Sequence, residues 1–221
     1  TKKMKKISLN KVLYHIAKSE VHKLSLDVKD AEYYIKEIVL NDNNDDEYSQ
    51  LIRNSILGIT RFPIIAHLPN ATWYQLNVTI KELSSYYILN ETSWKKNYGT
   101  CVTVYNASTK YIQLSNNDNQ NTKIDQHTAR INKVRDMNVN DRVIVGVSSN
   151  RNRKDGITIL DGNHRSIRLV VEHMLLNQQS REGGDDDDDN DVDDETVTLL
   201  LGLSDEFVNR QWKGSFYCCK K

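Results

Sequence analysis

The sequence predicts an α+β domain, a small mixed sheet with flanking helices, preceded by a helical extension. Apolar residues recur at helical spacing through the first sixty residues, and short β-branched and aromatic runs take over from Pro63. A strand then passes through a polar turn into an apolar helix near residue 161. These observations divide the chain into a helical extension over 1–62 and a domain over 63–221 with polar insertions at 115–122 and 182–195.

The extension opens with Leu9, Val12, Leu13, Ile16 and Ala17 on one helical face, with Ser8 placed as N-cap. Ala31, Tyr34, Ile35 and Ile38 predict a second helix capped by Asp27, and the polar stretch 41–46 predicts a loop. Leu51, Ile52, Ser55 and Ile56 predict a third helix that stops at Gly58. Extended runs follow at Trp73–Val78, Thr100–Tyr105, Tyr111–Leu114, Arg142–Ser148, Ile157–Leu160 and Thr196–Leu201. Thr79 with Glu82 three residues later spells a capping box, which predicts a short helix carrying Leu83, Tyr86 and Tyr87. Asp125–Met137 predicts a further helix, and Arg153–Gly156 a turn joining two strands as a hairpin.

With 221 residues, 38% hydrophobic and 27% charged, the chain is long enough to bury a core. Thirty basic residues balance thirty acidic ones, but ten of the acids lie between Glu182 and Glu195, so the rest of the chain carries about +10. Such a surface attracts phosphate, of a nucleotide or of a nucleic acid. The acidic run reads as a solvated loop, without the turn glycines of a calcium loop. Cys101, Cys218 and Cys219 make neither a metal-ligand spacing nor a disulfide framework, which fits a reducing, cytoplasmic setting with the nucleus also open. No apolar run approaches the ~20 residues that span a bilayer, so no membrane partner is expected.

The chemistry concentrates in Asp161, Gly162, Asn163, His164 and Arg165. The strand Ile157–Leu160 precedes them, and Ile167, Val170, Val171, Met174 and Leu175 follow at helical spacing. Asn163, His164 and Arg165 therefore occupy the first turn of a helix, where backbone amides and the positive end of the dipole favour an anion. Gly162 lets the backbone approach a ligand closely, Arg165 supplies a planar fork of donors, and His164 a donor that gains charge near neutral pH. The plainer alternative is that Asp161 and Asn163 merely cap the helix while His164 and Arg165 face solvent. His127 and His173 show no HxH or HExxH spacing with His164, so no metal site is assigned. Trp73, Trp94, Trp212, Tyr86, Tyr87 and Tyr98 read as core aromatics before they read as stacking platforms.

A strand, then Asp-Gly-Asn-His-Arg, then an apolar helix resembles the signature loop of the ParB/sulfiredoxin-like superfamily, a likeness spanning about Trp73 to Trp212. That superfamily includes nucleotide-binding partition proteins, nucleases, a free-amino-acid kinase and sulfiredoxins. The resemblance implies that Gly162, Asn163, His164 and Arg165 contact the phosphates of a nucleotide of the ATP or CTP class, accompanied by Mg2+. It further implies that Asp161 orients the loop or assists a bound metal and the attacking group. As an enzyme the chain would use Arg165 and His164 to offset phosphate charge and Asp161 as base or metal ligand, which makes Asp161 and His164 the candidate catalytic residues. Asn163 stands where sulfiredoxins carry their reactive cysteine, so sulfiredoxin activity is not expected. Partition proteins carry Glu-Arg-Arg after the glycine, a pattern that Asn163, His164 and Arg165 do not follow. The expected function is nucleotide-phosphate binding with hydrolysis of a nucleotide or phosphodiester. The alternative is a non-catalytic nucleotide-sensing or nucleic-acid-associated module.

Overall fold

The computed structural model describes residues 3–21, 33, 47–60, 68–89, 92–99, 102–116, 126–134, 142–148, 156–182 and 195–204. Among these residues six strands form one mixed sheet: β1 (Lys5–Lys6), β2 (Thr72–Thr79), β3 (Tyr87–Ile88), β4 (Val143–Ser148), β5 (Thr158–Asp161) and β6 (Thr196–Leu203). Their spatial order is β1-β2-β6-β4-β5-β3. The pairs β1–β2, β2–β6 and β4–β5 are antiparallel, whereas β4–β6 and β3–β5 are parallel.

Seven helices flank the sheet among the described residues: α1 (Leu9–Val21), α2 (Glu47–Thr60), α3 (Ile80–Ser84), α4 (Thr92–Tyr98), α5 (Val104–Asn116), α6 (Gln126–Val134) and α7 (Asn163–Glu182). Side chains alternate between the two faces of the sheet with the period of two that a pleated strand imposes. Ile144, Ile159, Leu199 and Leu201 pack with Leu83, Trp94, Tyr111, Ile131 and Ile167 of the helices α3 to α7. Val145, Val147, Leu160 and Leu200 pack on the opposite face with Val12, Ile16 and Ala17 of α1 and Ile52, Ile56 and Leu57 of α2. The strands in the middle of the sheet are thus covered on both sides, which is why β4 and β6 read as near-continuous apolar runs. Each fully buried Leu, Ile or Val of these layers contributes roughly 1.5–3 kcal/mol of hydrophobic stabilisation.

The N-terminal residues belong to this same architecture. Lys5 and Lys6 pair with Gln75 and Tyr74 of β2, and α1 lies against the sheet with α2 beside it. Ser8 caps α1 by accepting from the Lys11 amide at 3.3 Å. The capping box at Thr79 and Glu82 is complete: the Glu82 amide donates to Thr79 Oγ1 at 3.1 Å and the Thr79 amide to Glu82 Oε2 at 2.8 Å.

Several expectations are corrected. Val104 and Tyr105 of the run Thr100–Tyr105, and the whole of Tyr111–Leu114, lie in α5 rather than in strands, and Thr100 lies outside the described residues. Val104, Ala107, Ser108 and Tyr111 are buried at helical spacing, and Thr103 caps the helix by accepting from the Asn106 amide, so packing of a 3.6-period face overrode the β propensity of single residues. The third N-terminal helix passes Gly58 and ends at Thr60, because Gly58 does not take the left-handed conformation of a helix-ending glycine. The capping-box helix ends at Ser84, and Tyr87 lies instead in β3, paired in parallel with β5. The strands at 72–79, 143–148, 158–161 and 196–203 and the helix at 126–134 fall where the sequence placed them. Asp27, the helix expected over 31–38 apart from Tyr33, the loop 41–46, the turn residues 153–155, residues 117–122 and 183–194, Trp212 and the three cysteines lie outside the described residues.

Candidate functional site

Strand β5 buries all four of its residues, including Asp161 at its end, and delivers the chain into α7 through Gly162. Gly162 has φ +95°, and a Cβ there would stand 2.8 Å from Ile144 Cδ1. Both facts demand glycine: the left-handed backbone is costly for other residues, and the sheet leaves no room for a methyl group. The helical ladder opens with the Ser166 amide donating to the Gly162 carbonyl at 2.8 Å, reinforced by Ser166 Oγ at 3.0 Å. The amides of residues 163–165 precede that ladder and point out of the N-terminal end of α7, the positive end of the helix dipole.

Asp161 is the anchor of the turn. Its Oδ2 accepts from Arg165 Nη2 at 2.8 Å, and its Oδ1 accepts from Ser19 Oγ at 2.9 Å. The side chains of this ion pair are 7% and 18% exposed, so it is largely removed from water and shielded from salt. Ser19 lies near the end of α1, 142 residues earlier in the chain, and its hydroxyl also lies 2.8 Å from the Ile16 carbonyl. One hydroxyl proton thus stands between two acceptors, and it ties the N-terminal helix to the turn.

His164 faces the other layer. Its Nε2 lies 3.1 Å from Nδ1 of His127, which is 4% exposed on α6. The Trp94 indole lies against both imidazoles, with ring centroids 4.0 Å from His127 and 4.9 Å from His164, and the Tyr98 ring meets His127 edge-on at 6.3 Å. Asn163 is turned inward: it is 6% exposed, and its buried Oδ1 has no hydrogen-bond partner among the described residues.

The chain matches no family model, no curated protein and no solved structure. What the site can do therefore rests on its own geometry.

The structure brings Asp161, Gly162, His164 and Arg165 together on one turn, with Asn163 buried behind it. His173 does not join them; it lies further along α7 with Asn177 Nδ2 3.1 Å from its ring. Arg168 and Glu172 form an i,i+4 pair on the same helix, with Arg168 Nε donating at 2.7 Å. His127, Ser19 and Trp94 are the members of the site that sequence reasoning did not assign to it. The only signal for His127 was its i,i+4 relation to Ile131, which shows that it shares the buried face of α6 but not what it meets there. Among the described residues no three His, Cys, Asp or Glu side chains gather around a point where a metal would sit, and none of the helices is long and apolar enough to cross a membrane.

Proposed function

We propose that this chain binds the phosphate of a nucleotide or related phosphoester at the turn 161–165 and acts on it through His164. The supporting observation is that one turn carries a left-handed Gly162, the N-terminal amides of a 20-residue helix, the Arg165 guanidinium and the His164 imidazole. The Asp161 carboxylate offsets part of the Arg165 charge while aiming it, so attraction for an anion rests on the amides and on the remaining guanidinium donors together. Within this reading Asp161 orients the loop, because both of its oxygens already accept hydrogen bonds. The arrangement is in keeping with a ParB/sulfiredoxin-like loop, which we retain as the proposed relationship. A nucleotide of the ATP or CTP class is the ligand proposed, with hydrolysis of a nucleotide or phosphodiester as the reaction.

A nucleotide carries Mg2+ on its own phosphates. The turn does not fit a metal cage of its own, since Asp161 is its one carboxylate and that group is engaged by Arg165 and Ser19. A second reading, a nucleotide-sensing module without turnover, is favoured by the same engagement of both Asp161 oxygens. That module needs no general base, and the Ser19 contact would pass the state of the turn to the N-terminal helix.

The test is a thermal-shift screen against ATP, CTP, GTP, their diphosphates and short DNA, with and without magnesium, repeated on Arg165→Ala. A nucleotide-dependent rise in Tm that is lost in the variant supports the phosphate site. Equal shifts in both proteins, or none in either, would count against it. Turnover of the stabilising ligand, lost in His164→Ala with binding retained, separates enzyme from sensor.

A further inference from the structure

The two histidines have a geometry that specifies more than contact. Their nearest nitrogens are 3.1 Å apart and their ring centroids 5.3 Å apart, and the difference, about 2.2 Å, is close to two imidazole radii. The nitrogens therefore lie nearly on the line joining the rings, and the rings are tilted by only 22°. This is the arrangement of an in-line N–H···N hydrogen bond lying close to both ring planes. Two imidazoles converging side by side on a metal ion would bring their centroids closer together for the same nitrogen separation. One nitrogen of the pair donates and the other accepts, so the bridge survives with the pair neutral or carrying one added proton, and breaks when both rings are protonated.

We propose that His127 and His164 form a one-proton relay in which His164 exchanges a proton with the bound phosphoester's reacting group and His127 takes up the charge behind it. In the working tautomer His164 Nε2–H donates to His127 Nδ1, leaving His164 Nδ1 as the basic nitrogen of the half-buried ring. A proton leaving an attacking water or hydroxyl arrives at His164 Nδ1. The Nε2 proton then passes to His127 Nδ1, so His164 is neutral again and the imidazolium is His127. The reverse movement returns the proton to a leaving oxygen. No other bond changes in the relay, and proton and charge balance at each step.

Trp94 supplies the reason for putting the charge on a residue as buried as His127. Burial alone disfavours an imidazolium. An indole face at 4.0 Å opposes that penalty, since cations within about 6 Å of a Trp ring are attracted by its quadrupole. Among the described residues, the titratable and charged groups around the pair include Tyr98 against His127, Lys110 with its Nζ 5.9 Å from the Tyr98 ring, and the Asp161–Arg165 pair flanking His164 in the chain. His127 acts through His164 and is a positioning residue in this scheme.

The relay rests on the proposed phosphoester reading for its use, but its existence is testable without any ligand. Ring-nitrogen NMR of the full chain labelled with 15N-histidine reports tautomer and protonation of each imidazole across a pH series. The relay predicts His164 as the Nε2–H tautomer while both rings are neutral. It also predicts a shared first protonation of the two rings, with the second displaced by at least about one pH unit, a tenfold weaker proton affinity. Rings that titrate independently, or a His164 that carries its proton on Nδ1 while both rings are neutral, would overturn it. In His127→Gln, which keeps a hydrogen-bonding side chain but cannot carry the proton, His164 should titrate as a single ring, and an unchanged coupled titration would equally overturn the scheme. Failure of the nucleotide screen alone leaves these ring signals as predicted, so the two ideas fail separately. Once a substrate is in hand, His127→Gln should lower kcat with little change in KM and reshape the pH profile, which a purely structural role would not do.

Discussion

The two faces of the sheet meet the turn 161–165 in different ways. On the side of α1 and α2 the contact is made by Asp161, whose two carboxylate oxygens accept from Ser19 and Arg165, an arrangement that fixes position. On the side of α6 the contact is made by His164, joined to His127 by a single hydrogen bond whose proton can sit on either ring. One face therefore anchors the turn and the other leaves it a movable proton. A site at the end of a strand sandwiched between two helical layers can divide these tasks, because Asp161 closes β5 while His164 lies in the first turn of α7.

That division is open to attack by substitution. The largest effect is expected from Gly162→Ala, which imposes both the left-handed backbone and a methyl group 2.8 Å from Ile144 Cδ1. Denaturant unfolding should show a loss of roughly 2–5 kcal/mol, and a loss below about 1 kcal/mol would mean that the turn is not locked as described. Asp161→Asn strips the anchor of its charge and leaves Arg165 without its ion pair in a largely buried setting. Stability should fall by about 1–3 kcal/mol, and the ring signals of His164 and His127 should persist if the two faces are independent. The smallest effect is expected from Ser19→Ala, roughly 0.5–1.5 kcal/mol. A double-mutant cycle between Ser19→Ala and Asp161→Asn should return a coupling energy of comparable size, whereas strict additivity would show that the hydroxyl belongs to Ile16 alone.

Much of the framework was legible in the sequence, and what was not has identifiable causes. The strands at 72–79, 143–148, 158–161 and 196–203 were visible because β-branched and apolar residues filled them over short, bounded runs. The turn was visible because a glycine between an apolar strand and an apolar helical pattern left few conformations for it. Helix α5 was misread because Val104, Tyr105 and Tyr111 favour strands individually, while its helical burial at Val104, Ala107, Ser108 and Tyr111 emerges only when α7 packs against it. The wiring of the site was out of reach: Ser19 and Asp161 are 142 residues apart and His127 and His164 are 37 apart, and neither pairing follows any local period. The inward turn of Asn163 was hidden for the same reason, since a residue at a helix start reads equally well as a cap or as a ligand contact.

The most direct test of the proposed phosphate site is a titration followed by backbone amide NMR, in which nucleoside triphosphates, diphosphates and the corresponding free nucleosides are added in turn. The account predicts that the amide signals of Asn163, His164 and Arg165 move with the phosphorylated ligands, and do so far less with the nucleosides, because the phosphate meets the N-terminal end of α7. Shifts confined to other parts of the chain, or equal responses to nucleoside and nucleotide, would contradict it.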